Sequence, residues 1–291
     1  MLNDIARLRR FNRAVTRDVG ALDSSFLGRG RPLGAARVLQ LVTADGTDVA
    51  AIRQRLDLDS GLLSRILRGL RSEGLITVET AGGDRRRRIA RLTPAGAQEM
   101  RAYDALGHDR AARLLSRAGP QAGAVLAAMD LIATVLNRDH VEIRPADPDA
   151  PEAIACLAAY FRVLTDQIAG VTPDMFPLPD PKADTYRPPQ GQFLVAWSDD
   201  LPVGCVSLRP LSPGTGEVKR LWVAEDARGQ GLARRLMRRI EDEARALGYS
   251  RLQLDTNAVL TGAIALYHAD GWHEITPYSD FPSTHWFAKP L

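Results

Sequence analysis

Cysteine is almost absent from this 291-residue chain, which has Cys156 and Cys205 alone. Two cysteines make neither a ligand cluster nor a disulfide framework, and a reducing cytoplasm is the expected setting. No stretch approaches the ~18 consecutive apolar residues of a membrane helix, and residues 1 to 20 alternate charge with hydrophobe, so neither a membrane span nor a signal peptide is expected. The five histidines, at 108, 140, 268, 273 and 285, lack the spacing of a zinc site, and no metal is expected. Lysine is missing from residues 1 to 140, where 23 arginines stand against 15 acidic residues for a net +8. Residues 141 to 291 hold 15 basic and 20 acidic side chains, a net −5. The overall +3 hides a basic half and an acidic half. The basic half suits a polyanionic partner, the acidic half a cationic amine.

Two phosphate-loop signatures are missing as well. Lys-Ser and Lys-Thr pairs do not occur, which removes the P-loop, and Arg234 stands where a dinucleotide fingerprint beginning at Gly229 and Gly231 needs its third glycine. What is present is a strand, a turn and a helix. Val218, Leu221, Trp222 and Val223 are strand-forming, and Leu232, Leu236, Met237 and Ile240 recur at helical spacing. Between them runs Arg228-Gly229-Gln230-Gly231-Leu232-Ala233. Its glycines admit close approach of a ligand, and the unpaired N–H groups of the helix start attract phosphate.

Length gives a prior of two domains at ~150 residues each, and the break is set near 139, giving domains 1–139 and 140–291. In the first, Ile5, Leu8, Phe11, Val15 and Val19 make an amphipathic opening helix. Asp48 caps a helix over 49–56, and Asp59 or Ser60 caps a longer one to about Ser72. The latter turns Leu62, Leu63, Ile66, Leu67 and Leu70 inward and leaves Ser60, Ser64, Arg65 and Arg68 outward. Gly74 stops it, and strands at 75–80 and 89–92 flank a loop bearing Arg85 to Arg88. Taken alone, that run is a solvated tip. Taken with the two helices, it is the wing of a helix-turn-helix. The order, with Asp84-x-Arg86, Leu92-Thr93 and Leu63 to Leu67, resembles the MarR family of winged-helix transcription regulators. The resemblance implies double-stranded DNA, read as a palindromic operator, with Ser60, Ser64, Arg65, Arg68 and Arg86 at the DNA. It also implies a homodimer through the opening helix and the two helices of 97–137, broken at Gly119-Pro120. Packing of those helices within the chain is the alternative.

In the second half, a strand at 141–144, a helical region at 147–169 and a Pro-rich segment at 171–189 precede a hairpin at 193–208. The Pro-rich segment reads as a slack loop or a substrate cover. Cys156 reads as core rather than redox-active. Strands at 217–223 and 250–256 flank the helix after the loop and run parallel by a right-handed crossover. A helix at 260–268 and closing strands at 274–277 and 285–288 complete the order.

Arg228-x-x-Gly231-x-Ala233, with Ala263-x-x-x-Tyr267 and Gly271-Trp272 after it, resembles the GNAT superfamily of acyl-CoA-dependent N-acyltransferases across 141–291. The fold class expected is therefore α+β: a mostly helical winged helix-turn-helix followed by a mixed α/β sheet with splayed central strands. By resemblance, Leu221 and Val223 would pair with the pantetheine arm of acetyl-CoA. Arg228, Gly229, Gln230, Gly231, Leu232 and Ala233 would hold its pyrophosphate, and the Tyr267 phenol would protonate its sulfur. Asn257 falls outside the family spacing, with Leu260 where an Asn is usual, so its pantetheine contact is the loosest of these. A small amine or amino acid near pKa ~10 must lose a proton before attack. Glu217 is the candidate base, its alternative being a carboxylate paired to Lys219 or Arg220. Lys219, Arg220, Thr256, Tyr278 and His285 would ring the acceptor pocket. Three functions stay open: an acetyltransferase fused to a regulator, a regulator whose second domain senses acyl-CoA, and an acetyltransferase whose winged helix is a dimerisation scaffold.

Overall fold

The computed structural model describes residues 3–80 and 87–291; Asp84 and Arg86 lie outside them. The chain divides into two compact units, Met1–Ala122 and Gly123–Leu291.

The first unit opens with α1 (Asp4–Asp18), whose Asn3 cap accepts from the Ala6 N–H at 2.8 Å. Its apolar stripe is solvent-facing: Ile5, Leu8, Phe11 and Val15 are all exposed. Helix α2 (Leu33–Gln40) and the short strand β1 (Thr47–Asp48) lead to α3 (Val49–Arg55). Asp48 caps α3 through Ala50 N–H, and Asp59 caps α4 (Ser60–Ser72) through Leu62 N–H, each at 2.8 Å. Short acceptors here satisfy donors that a helix start otherwise leaves unpaired. Between α3 and α4, Asp57 takes φ 47°, and Gly74 at φ 71° ends α4. Strands β2 (Ile76–Thr80) and β3 (Arg88–Leu92) pair antiparallel, with β1 on the far side of β3. The core gathers Val38, Leu39, Ile52, Leu63, Leu67 and Ile76. Tyr103 of α5 (Pro94–Ala118) is buried with them and stacks on Phe26.

A short turn at 119–121 separates α5 from α6 (Ala122–Leu136). The helical run Pro94–Leu136 is apolar enough to cross a membrane by length and composition alone, a test that core helices also pass. Helix α6 falls almost wholly in the second unit, whereas the sequence places the break near 139. The reason lies in its end: Thr134 donates to Asp226 at 3.2 Å, Asn137 to Asp199 at 2.8 Å, and Arg235 reaches the Val141 carbonyl at 2.5 Å.

The second unit is a seven-stranded mixed sheet. Its strands are β4 (Glu142–Pro145), β5 (Gln192–Ser198), β6 (Leu201–Ser212), β7 (Thr215–Val223), β8 (Arg251–Thr256), β9 (His273–Glu274) and β10 (His285–Pro290), in the order β4-β5-β6-β7-β8-β10-β9. Alternation along the strands builds two cores. Leu194, Ala196, Val206 and Leu208 face α8 (Leu232–Ala246) with its Leu236, Met237 and Ile240. Phe193, Val195 and Cys205 face α7 (Pro151–Gln167) with its Cys156, Leu157 and Phe161. Helix α9 (Thr261–Ala269) sends Tyr267 into the first of these. Only β7 and β8 are parallel neighbours, joined through α8.

Candidate active site

Strands β7 and β8 pair over three positions only, Thr215 with Arg251, Gly216 with Leu252 and Glu217 with Gln253. From Val218 onward β7 keeps β6 on one side and loses β8 on the other. β8 stays paired to β10 along its whole length, so the strands part as a wedge. On β7 one extra residue is inserted opposite Cys205–Ser207, and Arg220 there takes φ 61°. Such a bulge re-aims side chains and increases local twist.

Two cavities meet at the wedge. One, of roughly 530 Å³, runs along Leu221 to Val223 to the loop at Arg228, Gly229 and Gly231. The other, of roughly 310 Å³, is lined by Lys219, Arg220, Asp255, Thr256 and Tyr267. They share Tyr160, Leu221, Leu260 and Ala263, so a linear molecule entering by the first has its end at the second.

The loop is shaped for an anion. Gly229 and Gly231 lie at φ 74° and 80°, where a side chain is strained, yet a Cβ on either would meet nothing within 4 Å. Their backbone is therefore turned for something other than internal packing. Among the described residues, the first backbone N–H after Arg228 to find a backbone carbonyl is that of Arg235, bonded to Gly231 at 3.1 Å. The N–H groups between lie at the α8 N-terminus, the positive end of its dipole. Arg228 is steadied by its Nε bond to the Val223 carbonyl at 3.2 Å, and Gln230 by its bond to the Asp226 carbonyl at 3.1 Å.

Tyr267 is buried between Trp272 and Phe287, with ring centroids at 6.0 and 5.5 Å. Burial pushes its phenol well above the ordinary tyrosine range, so the hydroxyl keeps its proton. Tyr160, at the junction of the cavities, is pushed up to about 12 by the same cause.

Glu217 is 1% exposed and lines neither cavity. Its Oε2 accepts from Arg209 Nε at 2.5 Å; its Oε1 accepts from the Tyr278 hydroxyl at 3.2 Å and lies 3.5 Å from Lys219 Nζ. The sequence-level alternative thus holds for Lys219, while the stronger partner is Arg209, which sequence reading passes over. Arg220 turns away from Glu217 to Asp180, 3.1 Å away, and lies over the Phe161 ring at 4.7 Å. Lys219 also contacts Asp255 at 2.5 Å, and Ser279 and Ser283 donate to the same carboxylate. Burial alone would raise the Asp255 pKa, but Lys219 and the two hydroxyls outweigh it and hold the carboxyl below its usual range.

Other expected residues scatter. Thr256 lines the smaller cavity; His285, opposite it on β10, bonds to Thr284 and is not part of that lining. Asn257 also sits by the smaller cavity rather than the loop, its amide spent on the Pro282 carbonyl at 2.5 Å and the Val259 N–H at 3.1 Å. Tyr160, Arg209, Asp180 and Asp255 carry no motif; strand pairing brings in Arg209 and Asp255, helix packing Tyr160, and the ion pair with Arg220 brings in Asp180. Segment 171–189 is tied down by Asp180 to Arg220 and Arg187 to Asp147 and Asp149, with the Gln190 carbonyl just beyond it accepting from the Tyr249 hydroxyl; Phe176 of the segment lines the smaller cavity.

In the first unit, Ser60 and Ser64 line a recess with Arg53, Arg87 and Arg88. Arg65 and Arg68 are exposed on α4. Among the described residues no group of three or more His, Cys, Asp or Glu gathers to hold a metal.

Known proteins resemble the second unit. The profile of the Acetyltransferase (GNAT) family matches residues 161–272. The IAA acetyltransferase of Azospirillum brasilense is 41% identical over 111 residues, 37% of this chain and 72% of that protein. An uncharacterized N-acetyltransferase of Bacillus subtilis, YsnE, is 30% identical over 113 residues, 37% of this chain and 75% of its own. An acetyltransferase structure from Streptococcus agalactiae is 23% identical, covering 52% of this chain and 98% of its own, with a TM-score of 0.44. Through its second unit the chain belongs to the GNAT family of acetyltransferases, which take their acetyl group from acetyl-CoA.

Proposed function

We propose that the second unit acetylates a small amine or amino acid, with acetyl-CoA seated in the wedge. The observation that carries this is the loss of β7–β8 pairing after Glu217, which leads two cavities into each other between the glycine loop and Tyr267. In this reading the amides of 229–233 and Arg228 hold the pyrophosphate, and the backbone at Leu221 and Val223 takes the arm. Acetyl-CoA supplies the activated acetyl thioester. The acceptor nitrogen forms the new bond to the acetyl carbon as the carbon–sulfur bond breaks; the amine gives up a proton and the leaving sulfur gains one. Tyr267 is the donor of the second proton, since its buried phenol stays protonated. Glu217 takes the first through an intervening group or water, because its carboxylate is enclosed by Arg209, Lys219 and Tyr278; Asp255 is the carboxylate at the cavity wall. The test is CoA release from acetyl-CoA over a panel of amines, wild type against Tyr267→Phe. Acceleration by at least one amine, lost in the variant, is the expected result; no acceleration by any amine overturns the reading.

For residues 1–139, which take in the first unit and α6, we read a MarR-like winged-helix DNA-binding domain, acting as a homodimer in the cytoplasm. Support comes from α4, which presents Ser60, Ser64, Arg65 and Arg68 beside the Arg53, Arg87 and Arg88 recess. Exposed Ile5, Leu8, Phe11 and Val15 on α1, and Leu126, Met129 and Val135 on α6, supply apolar surface for a second copy. A winged helix kept only for dimerisation is the competing reading, separated from the first by DNA titration.

A further inference from the structure

The acceptor cavity is unlike a pocket built for a simple cationic amine. The second half of the chain carries a net −5, yet the cavity wall bears Lys219 and Arg220 against Asp255 and Asp280, so it is charge-balanced rather than acidic. Lys219 is spent on Asp255 and Glu217. Arg220 is held differently. It sits on the bulge at φ 61°, a conformation that costs a non-glycine residue free energy, and its side chain is fixed from two sides by Asp180 and the Phe161 ring. Its carbonyl accepts from Cys205 Sγ at 3.2 Å, which anchors the bulge itself. Despite this fastening, Arg220 Nε is buried with no acceptor in the protein. A buried donor of that kind is costly, and an acceptor oxygen reaching it from the cavity that Arg220 lines would relieve it. A guanidinium offers five donors in a planar fork, and Asp180 uses one nitrogen.

The rest of the cavity sets the remaining chemistry. Leu164, Ile168 and Phe176 make one wall apolar, and Asp255 stands at another near Tyr267. The volume, roughly 310 Å³, is at the lower end of small-molecule sites, which run about 300–1,000 Å³.

Resting on the acetyltransferase reading above, we propose that the acceptor is a small zwitterion, a free α-amino acid with an apolar side chain. Arg220 holds its carboxylate, the wall of Leu164, Ile168 and Phe176 takes its side chain, and its amine faces Asp255 and the shared end of the two cavities.

The experiment compares each amino acid with its decarboxylated amine in the wild-type enzyme: phenylalanine with phenethylamine, leucine with isoamylamine, reading kcat/KM from CoA release. A hydrogen bond to a charged group is worth enough that the amino acid is favoured by about tenfold to a hundredfold. Arg220→Met narrows that ratio mainly by raising KM for the amino acid, and Arg220→Lys restores part of it; titration with acetyl-CoA establishes that each variant is folded. Equal or better turnover of the decarboxylated amines overturns the proposal while leaving the enzyme an acetyltransferase. Silence of both members of every pair, with other amines active, also overturns it. Silence of every amine overturns the acetyltransferase reading with it.

Discussion

Glu217 of β7 and Gln253 of β8 are the last registered pair of their parallel ladder. One residue beyond that pair the backbone of β7 has a free edge, and everything assigned to the donor lies along it: Leu221, Val223, and the loop that turns into α8. The same Glu217 is locked by Arg209 and Lys219, so the point where the sheet opens also holds a buried ion-pair cluster.

Glu217→Gln separates two roles. Removing one partner of a buried ion pair costs about 3–5 kcal/mol, and Arg209 then loses its carboxylate. All four tryptophans, 197, 222, 272 and 286, lie in the second unit, so urea unfolding followed by tryptophan fluorescence reports this loss. The expected outcome is a lower unfolding midpoint together with reduced kcat. Lowered kcat at unchanged stability would make Glu217 the base and not the frame.

Tyr267→Phe lowers kcat by about 10²–10⁴ if the phenol is the proton donor, with the acetyl-CoA dissociation constant unchanged. The sign of the pH effect follows from burial, which disfavours the phenolate and raises the pKa. The protonated form therefore persists through neutral and mildly alkaline pH, and no loss of rate from Tyr267 ionisation is expected there. A pH–rate profile checks this.

Gly231→Ala tests the loop. A Cβ at φ 80° meets no neighbour, so the penalty is conformational alone, about 1–2 kcal/mol for an L-residue in the left-handed region. The loop escapes that strain by leaving the anion-binding shape, and acetyl-CoA binding weakens by roughly tenfold per 1.4 kcal/mol. Calorimetric titration gives the number; an unchanged affinity would detach the loop from the donor.

The first unit has its own acid sensitivity. Arg29 hydrogen-bonds Glu99, whose burial opposes ionisation, and with Arg31 it holds the carboxyl down to about 2. A carboxylate depressed in the folded state gives stability that is complete above its unfolded pKa and is lost as pH falls toward the folded one. The unit is expected to weaken between about pH 4.5 and 2, and Glu99→Gln to flatten that dependence. Amide exchange in α2 and α4 follows it.

If α4 meets DNA, anisotropy titrations with a palindromic duplex give a steep salt dependence, and Arg65→Ala lowers the slope by about 1. Salt-insensitive or absent binding favours the dimerisation scaffold.

The strand, loop and helix of 217–240 were legible because their signals are local: β-formers, two glycines and helical periodicity in one continuous stretch. The caps Asp48 and Asp59 were legible for the same reason. Arg209, Asp180, Asp255 and Tyr160 were not, since each reaches the site through register or helix packing from another element. Nor can a sequence show that a parallel ladder stops after three pairs. Asn257 lines the smaller cavity with its amide engaged by Pro282 and Val259, and His285 stays outside that lining with its ring bonded to Thr284. The boundary near 139 misses the bonds of Thr134 and Asn137, which tie α6 to the second unit.

Hydrogen–deuterium exchange with and without acetyl-CoA tests the wedge most directly. Protection is predicted at 219–223, at 228–234 and along 256–263, with β4 and β5 unchanged. Acetyl-CoA binding that leaves all three segments unprotected would contradict the account.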